Sequence, residues 1–131
     1  MPAISTKSVA DKLMIKPGKK VLFVDAPPYY EKILGHVPAG ATVLDKAEKG
    51  ADIIQVFVAS SRELKKQLLK LKTQLNPDGA LWVTYYKGTS KTKTDINRDT
   101  IAEYASSIGL EGVAMISVDD DWSALRLKIV S

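Results

Sequence analysis

Hydrophobic and polar positions follow three different rhythms along the chain. Residues 53–58 (Ile-Ile-Gln-Val-Phe-Val) form an apolar run interrupted only by Gln55. Leu64, Leu68, Leu71 and Leu75 recur at helical spacing, and residues 125–129 alternate Leu, Arg, Leu, Lys, Ile. A near-continuous apolar run suits a strand covered on both faces by helices, because neither face meets water. The leucine spacing predicts a helix over 62–75, with Lys65, Lys66, Gln67, Lys70 and Lys72 on its outer face. Ser60 can cap its first turn, and Glu63 can reach back in a capping box. Pro77 then ends the helix, Gly79 supplies the permissive backbone of a tight turn over 76–79, and Leu81, Trp82, Val83, Tyr85 and Tyr86 predict a second buried strand. Residues 52–86 thus read as one strand–helix–strand crossover, the unit of a parallel sheet.

The other elements hang on this unit. Residues 5–15 are amphipathic, with Ser8 as cap and Val9, Leu13 and Met14 as the apolar edge, and predict a short helix on the sheet. Residues 21–24 predict a strand that ends at Asp25. The segment 26–30 opens a helix to Leu34, with proline at its first position and Gly35 as its stop. A short strand over 42–44 ends at Asp45. After Tyr86 come a polar, basic loop over 87–94, a helix over 98–108 capped by Asn97 or Thr100 and stopped by Gly109, a strand over 113–118 and an acidic turn at 119–121. The alternation that follows predicts a half-exposed, antiparallel last strand at the sheet edge. The fold class is therefore α/β, three-layered and mostly parallel, with an antiparallel C-terminal edge hairpin, in one domain over 1–131.

An acidic residue, an apolar strand, a leucine helix, Leu75-x-Pro77-x-Gly79 and another apolar strand follow one another here. This series resembles the second half of class I S-adenosylmethionine-dependent methyltransferases. The resemblance implies a Rossmann-like fold and leaves the activity open, since many functions share that fold. One strand–helix unit fewer than in those enzymes precedes Asp52, which makes this a trimmed version. Five further segments run across nearly the whole chain: Leu13-x-Ile15-Lys16-Pro17-Gly18, the strand end Asp25-Ala26-Pro27, Pro-Asp-Gly-Ala-Leu-Trp-Val at 77–83, Thr94-Asp95, and Asp-Asp-Trp-Ser-Ala-Leu at 120–125. They are similar to an uncharacterised bacterial family of small α/β proteins, a domain of unknown function, which brings no activity with it.

Composition narrows the function. The 131 residues are 45% hydrophobic and 26% charged, which is ordinary for a globular domain. No stretch is long and apolar enough to span a bilayer, and the N-terminus lacks the apolar run of a secretory signal. With no cysteine, disulfides, thiolate catalysis and cysteine-based metal sites are excluded, and a reducing cytoplasm is the expected location. The single His36 leaves no zinc ligand set and names no catalytic partner. A net charge of +4 gives weak attraction to polyanions and no more.

The end of the first strand is where a Rossmann-type sheet holds its cofactor. Phosphate recognition there wants glycines and free backbone N–H groups. This chain offers Asp25-Ala26-Pro27-Pro28-Tyr29-Tyr30. Proline has no N–H, and Asp25 and Glu31 repel an anion, so the pattern assigns no cofactor. Tyr29 and Tyr30 either stack a cationic or uncharged ligand or cover the sheet edge. Asp45 stands where an acidic residue would hold ribose hydroxyls, or is a solvated strand end. The acidic run 119–121 is a cation site or a turn, and Trp122 packs in a core or an interface. Lys87, Lys91, Lys93 and Arg98 gather at the ligand-binding end of the Trp82 strand, as a nucleic-acid or acidic-partner contact or as a solvated loop. The leading expectation is a non-catalytic domain that binds a small molecule or a protein, with no membrane partner and with a homodimer through the exposed edge strand open. The alternatives are a divergent methyltransferase using Asp25, Tyr29 and Asp45, and a nucleic-acid module using the loop 87–98.

Overall fold

The structure is a computed structural model, and it describes residues 8–44, 46 and 48–130. In chain order the elements are α1 (Val9–Lys12), β1 (Lys20–Val24), α2 (Tyr30–Leu34), β2 (Thr42–Val43), β3 (Ala51–Phe57), α3 (Ser61–Gln74), β4 (Leu75–Tyr86), α4 (Arg98–Ser107), β5 (Leu110–Ser117) and β6 (Trp122–Ile129). The strands form one six-stranded sheet in the order β2-β1-β3-β4-β6-β5. β2, β1, β3 and β4 are mutually parallel, and β6 runs antiparallel to both its neighbours, β4 and β5. The chain is thus mostly parallel with an antiparallel hairpin at one edge, as its hydrophobic rhythm implies.

The central crossover forms for the reasons its sequence gives. Glu63 N donates to Ser60 Oγ at 3.1 Å, and the Glu63 carboxylate reaches back to accept from Ala59 N at 2.8 Å. The first bond satisfies an N–H that the first turn leaves orphaned, while the second holds the residue before the cap. Ser60 thus caps α3 without the reciprocal bond to its own N–H that a capping box requires. Leu64, Leu68 and Leu71 are buried on the sheet. With Ile54, Val56, Leu81, Val83, Leu127 and the α4 residues Ile101 and Ala105 they make the core of one face. The other face is covered by α1 and α2, with Val9, Leu13, Tyr30 and Leu34 packed on Ile53, Phe57, Trp82 and Trp122.

Three expectations are corrected, and the turn over 76–79 takes the form of a bulge inside a strand. β4 begins at Leu75, directly after α3, and the pairing steps from Ala51–Leu75 to Ile53–Ala80, so the four residues 76–79 stand opposite Asp52 alone and fold out of the strand. The Asn76 amide pins the bulge to Asp52 Oδ1 at 2.7 Å and to Gly50 O at 3.1 Å. Gly79 is needed for room rather than for an unusual φ: a Cβ there would lie 2.8 Å from Asp52 O and 3.0 Å from Asn76 O. The last strand is not the edge, since β6 lies between β4 and β5. Its alternation reports one partly open face, where Arg126 and Lys128 point, and says nothing about its neighbours. α1 spans only Val9–Lys12; residues 5–7 lie outside the described part, and Met14 has φ 68° and is exposed. α2 begins at Tyr30, past both prolines, so no proline takes its first position.

Candidate functional site

β1 stops at Val24, and Asp25 adopts φ 59° in the left-handed region, which aspartate tolerates better than most residues. That turn sends the Asp25 carboxylate towards α3, where it accepts from Gln67 Nε2 at 3.0 Å. Ala26, Pro27 and Pro28 then carry the chain back over the opposite face. Tyr30 N donates to Pro27 O at 3.0 Å, and α2 starts there.

Tyr30 is the pivot of the site. Its ring packs edge-on to Phe23 of β1, with centroids 5.9 Å apart, and to Phe57 of β3, at 4.7 Å. Its hydroxyl donates to Gln55 Oε1 at 2.7 Å, and Gln55 Nε2 donates to Thr84 Oγ1 at 2.9 Å. Gln55 and Thr84 are fully buried. A buried amide needs such partners, because an unmet donor or acceptor loses its water without compensation. Burial pushes the Tyr30 phenol well above its ordinary value, which keeps it protonated as the donor of this relay. The aromatic row continues from Phe57 to Trp122 at 5.2 Å, edge-on, and from Trp122 to Tyr86 at 3.9 Å, stacked.

The position matters because β1 pairs with β2 on one side and with β3 on the other. That is where the strand order reverses, and α/β sheets hold ligands in the crevice outside such strand ends. Here the Tyr30 side chain, only 4% exposed, lies over that junction. Beside it opens a cleft of about 490 Å³ lined by Phe23, Pro27, Tyr30, Leu34, Val37 and Val43 among others. Its volume suits a small organic molecule. Glu31 is the one charged side chain among its described lining residues.

The expected site residues therefore part company. Tyr30 lines the cleft, whereas Asp25 faces α3, and Tyr29 is exposed and not among the cleft residues. Asp45 lies outside the described residues. Lys87 and Arg98 share an open groove with Tyr85 and Met115, and Lys87 and Lys93 share a smaller hollow; Lys91 is exposed and in neither. Lys87 Nζ donates to Ser117 Oγ at 2.7 Å, Lys93 Nζ to Gly88 O at 2.7 Å, and Arg98 Nε lies 3.6 Å from Asp99. The basic loop is anchored by buried Ser90, whose hydroxyl donates to Asp121 Oδ1 at 3.1 Å, and by Lys87 N, which donates to Asp121 O at 2.7 Å. Asp119 Oδ1 accepts from the N–H groups of Asp121 and Trp122, so the acidic run is a turn. No described group of acidic or imidazole side chains is arranged to hold a metal. Gln55, Thr84, Val37 and Val43 are the site residues that sequence reasoning missed. Gln55 carried a signal, a lone amide inside an apolar run.

At the opposite end of the sheet, burial raises the Asp52 carboxyl, but hydrogen bonds from Lys20 N and the Asn76 amide and the nearby Lys19 and Lys20 charges outweigh it and hold it below its ordinary value. Asp52 is thus a structural clamp. Among the described residues no helix is long and apolar enough to cross a membrane.

Solved structures with a similar fold include methyltransferases. A SAM-dependent methyltransferase from Aquifex aeolicus superposes with a TM-score of 0.63 at 16% identity, over 93% of this chain and 88% of that one. A TehB-like SAM-dependent methyltransferase from Corynebacterium glutamicum gives 0.59 at 14% identity, over 97% and 90%. A ribosomal protein L11 methylase from Lactobacillus delbrueckii subsp. bulgaricus gives 0.61 at 12% identity, over 94% and 75%. At these identities the likeness establishes the fold, a methyltransferase-like Rossmann fold, and nothing about activity. No curated protein matches the sequence. The model of the family described as "Protein of unknown function (DUF3052)" matches residues 38–130, and the chain belongs to that family.

Proposed function

We propose that this chain is a binding domain on a methyltransferase-like fold, whose cleft beside α2 takes a small, flat, uncharged or cationic molecule rather than a phosphate-bearing cofactor. The observation that carries the reading is Tyr30. Its ring lies over the strand junction that a Rossmann-type ligand would use, and the Gln55–Thr84 relay holds it there. Pro27 and Pro28 remove backbone donors from the same turn, and Glu31 favours a cation over an anion at the cleft rim. The domain would act by binding and not by catalysis, and a cysteine-free chain fits a reducing cytoplasm.

The fold likeness favours a second reading, a divergent SAM-dependent methyltransferase. A thermal-melt panel separates the two. It holds neutral and quaternary-ammonium aromatic compounds, S-adenosylmethionine, S-adenosylhomocysteine, nucleotides and a short oligonucleotide. A ligand at about 100 times its dissociation constant adds about 2.7 kcal/mol, a shift of several degrees. The binding-domain reading expects simple flat compounds to raise the melt, nucleotides not to, and Val37→Trp, which fills the cleft, to abolish the shift. Shifts by S-adenosylmethionine and S-adenosylhomocysteine with none from simpler aromatics would replace it with the enzyme reading.

A further inference from the structure

The two edges of the sheet differ in how they are guarded. An unpaired edge strand offers a row of N–H and C=O groups to any other strand, and proteins blunt such edges with brevity, proline or lysine. β2 closes one edge with Thr42 and Val43 alone. β5 closes the other with eight residues, Leu-Glu-Gly-Val-Ala-Met-Ile-Ser, which include no proline and no lysine. Residues 111–115 and Ser117 are exposed, with Val113 43% and Met115 47% accessible. The register shift between Gly112 and Ala114 is the one such guard in its pairing with β6, since bulges also blunt edges.

The charges on β5 are arranged end to end. Glu111, its one ionised side chain, sits near the start, 3.8 Å from Lys128 of β6. Two ammonium groups meet its far end: Lys12 Nζ donates to Ser117 O at 3.4 Å and Lys87 Nζ to Ser117 Oγ at 2.7 Å. Glu111 points to the face that Lys128 shares with Arg126, the cross-strand neighbour of Trp82. α1, which carries Lys12, packs on that same face. A second β5 laid antiparallel sets Glu111 beside the partner's Lys12, twice over, and brings the apolar middles together. A parallel partner would set like charges side by side, which is unfavourable.

We propose that β5 is a homodimer interface, in which two copies of this chain pair their β5 strands antiparallel about a two-fold axis and join their sheets edge to edge. The polar pattern fits a second copy of this chain because it is complementary to itself.

The test is sedimentation equilibrium of the full chain across micromolar concentrations. The wild type should have the mass of two chains. Val113→Lys should have the mass of one with an unchanged circular dichroism spectrum, because a lysine on an edge strand opposes pairing. Glu111→Lys and Lys12→Glu should each weaken self-association at least about tenfold, and an equimolar mixture should restore it, since both cross-contacts then join opposite charges. Hydrogen exchange gives a second readout: β5 amides should slow with rising concentration. A wild type that stays monomeric, or a dimer indifferent to Val113→Lys, would overturn the interface. Two charge variants that do not recover on mixing would overturn the antiparallel arrangement.

Discussion

The two faces of the sheet are built on different plans. On one face α3 and α4 run 14 and 10 residues and cover the strands with leucine, isoleucine and alanine. On the other, α1 and α2 run only 4 and 5 residues. Helices that short cannot seal the sheet, and large aromatic side chains take over the task. Trp82 reaches across to donate from Nε1 to Leu13 O at 3.2 Å, which ties α1 down. Tyr30, Phe57 and Trp122 form the row that covers the strand ends. Aromatic packing brings polar tips with it, hence the Gln55–Thr84 relay, and it leaves the cleft beside α2. The long-helix face is closed by regular packing, and the short-helix face has the irregular packing that the proposed binding site would use.

Substitutions that separate the two faces differ in expected size. Trp82→Ala should cost most, about 3–5 kcal/mol, because it empties a buried site and releases α1 together. Leu68→Ala on the long-helix face should cost about 2–5 kcal/mol as a plain cavity, without changing ligand-induced shifts in the melt. Chemical denaturation measures both. If Leu68→Ala impaired ligand binding as strongly as Val37→Trp, the division of labour would be wrong. Gly79→Ala should cost about 1–3 kcal/mol, since its Cβ would press on backbone oxygens that the Asp52–Asn76 clamp holds in place.

Tyr30→Phe keeps the ring and removes the hydroxyl. It should cost about 1–3 kcal/mol at neutral pH by leaving Gln55 Oε1 without its donor. It should also change the alkaline limb. A phenol whose folded value is raised adds stability that is complete below about pH 10 and is lost as pH rises through the folded value. Burial raises Tyr85 too, so the Tyr30→Phe profile should be flatter above about pH 10 but not flat. The smallest effect is expected at Asp52. Its lowered carboxyl adds stability present above about pH 3.9 and lost as pH falls through the folded value, so Asp52→Asn should flatten the acid limb. It should also lower stability at neutral pH, because the substituted amide can accept only one of the two bonds from Lys20 N and the Asn76 amide.

Legibility in the sequence followed the length of each element. α3 and its flanking strands were readable because fourteen residues sample four turns of periodicity and a cap. α1 and α2 are too short for any period to show. The alternation of β6 predicts an edge strand, but alternation reports an open face, and the short α1 leaves that face partly open. β5, the true edge, has an apolar sequence that reads as buried. At the site, the prolines and tyrosines were visible and their consequence for phosphate binding could be argued. The direction of Asp25 could not, because it depends on one left-handed φ and on Gln67, 42 positions away. The pairing of Tyr30 with Gln55 crosses 25 positions and leaves no local trace.

The central claim is that the Tyr30 ring occupies the strand junction. A pH titration of ring-labelled Tyr30 by nuclear magnetic resonance tests it directly. The account predicts that the phenol stays protonated through about pH 10, where a free tyrosine is half ionised, and ionises only as the fold is lost. Half-ionisation near pH 10 with the fold intact would mean that the ring stands in water and the junction is open, and the account would be wrong.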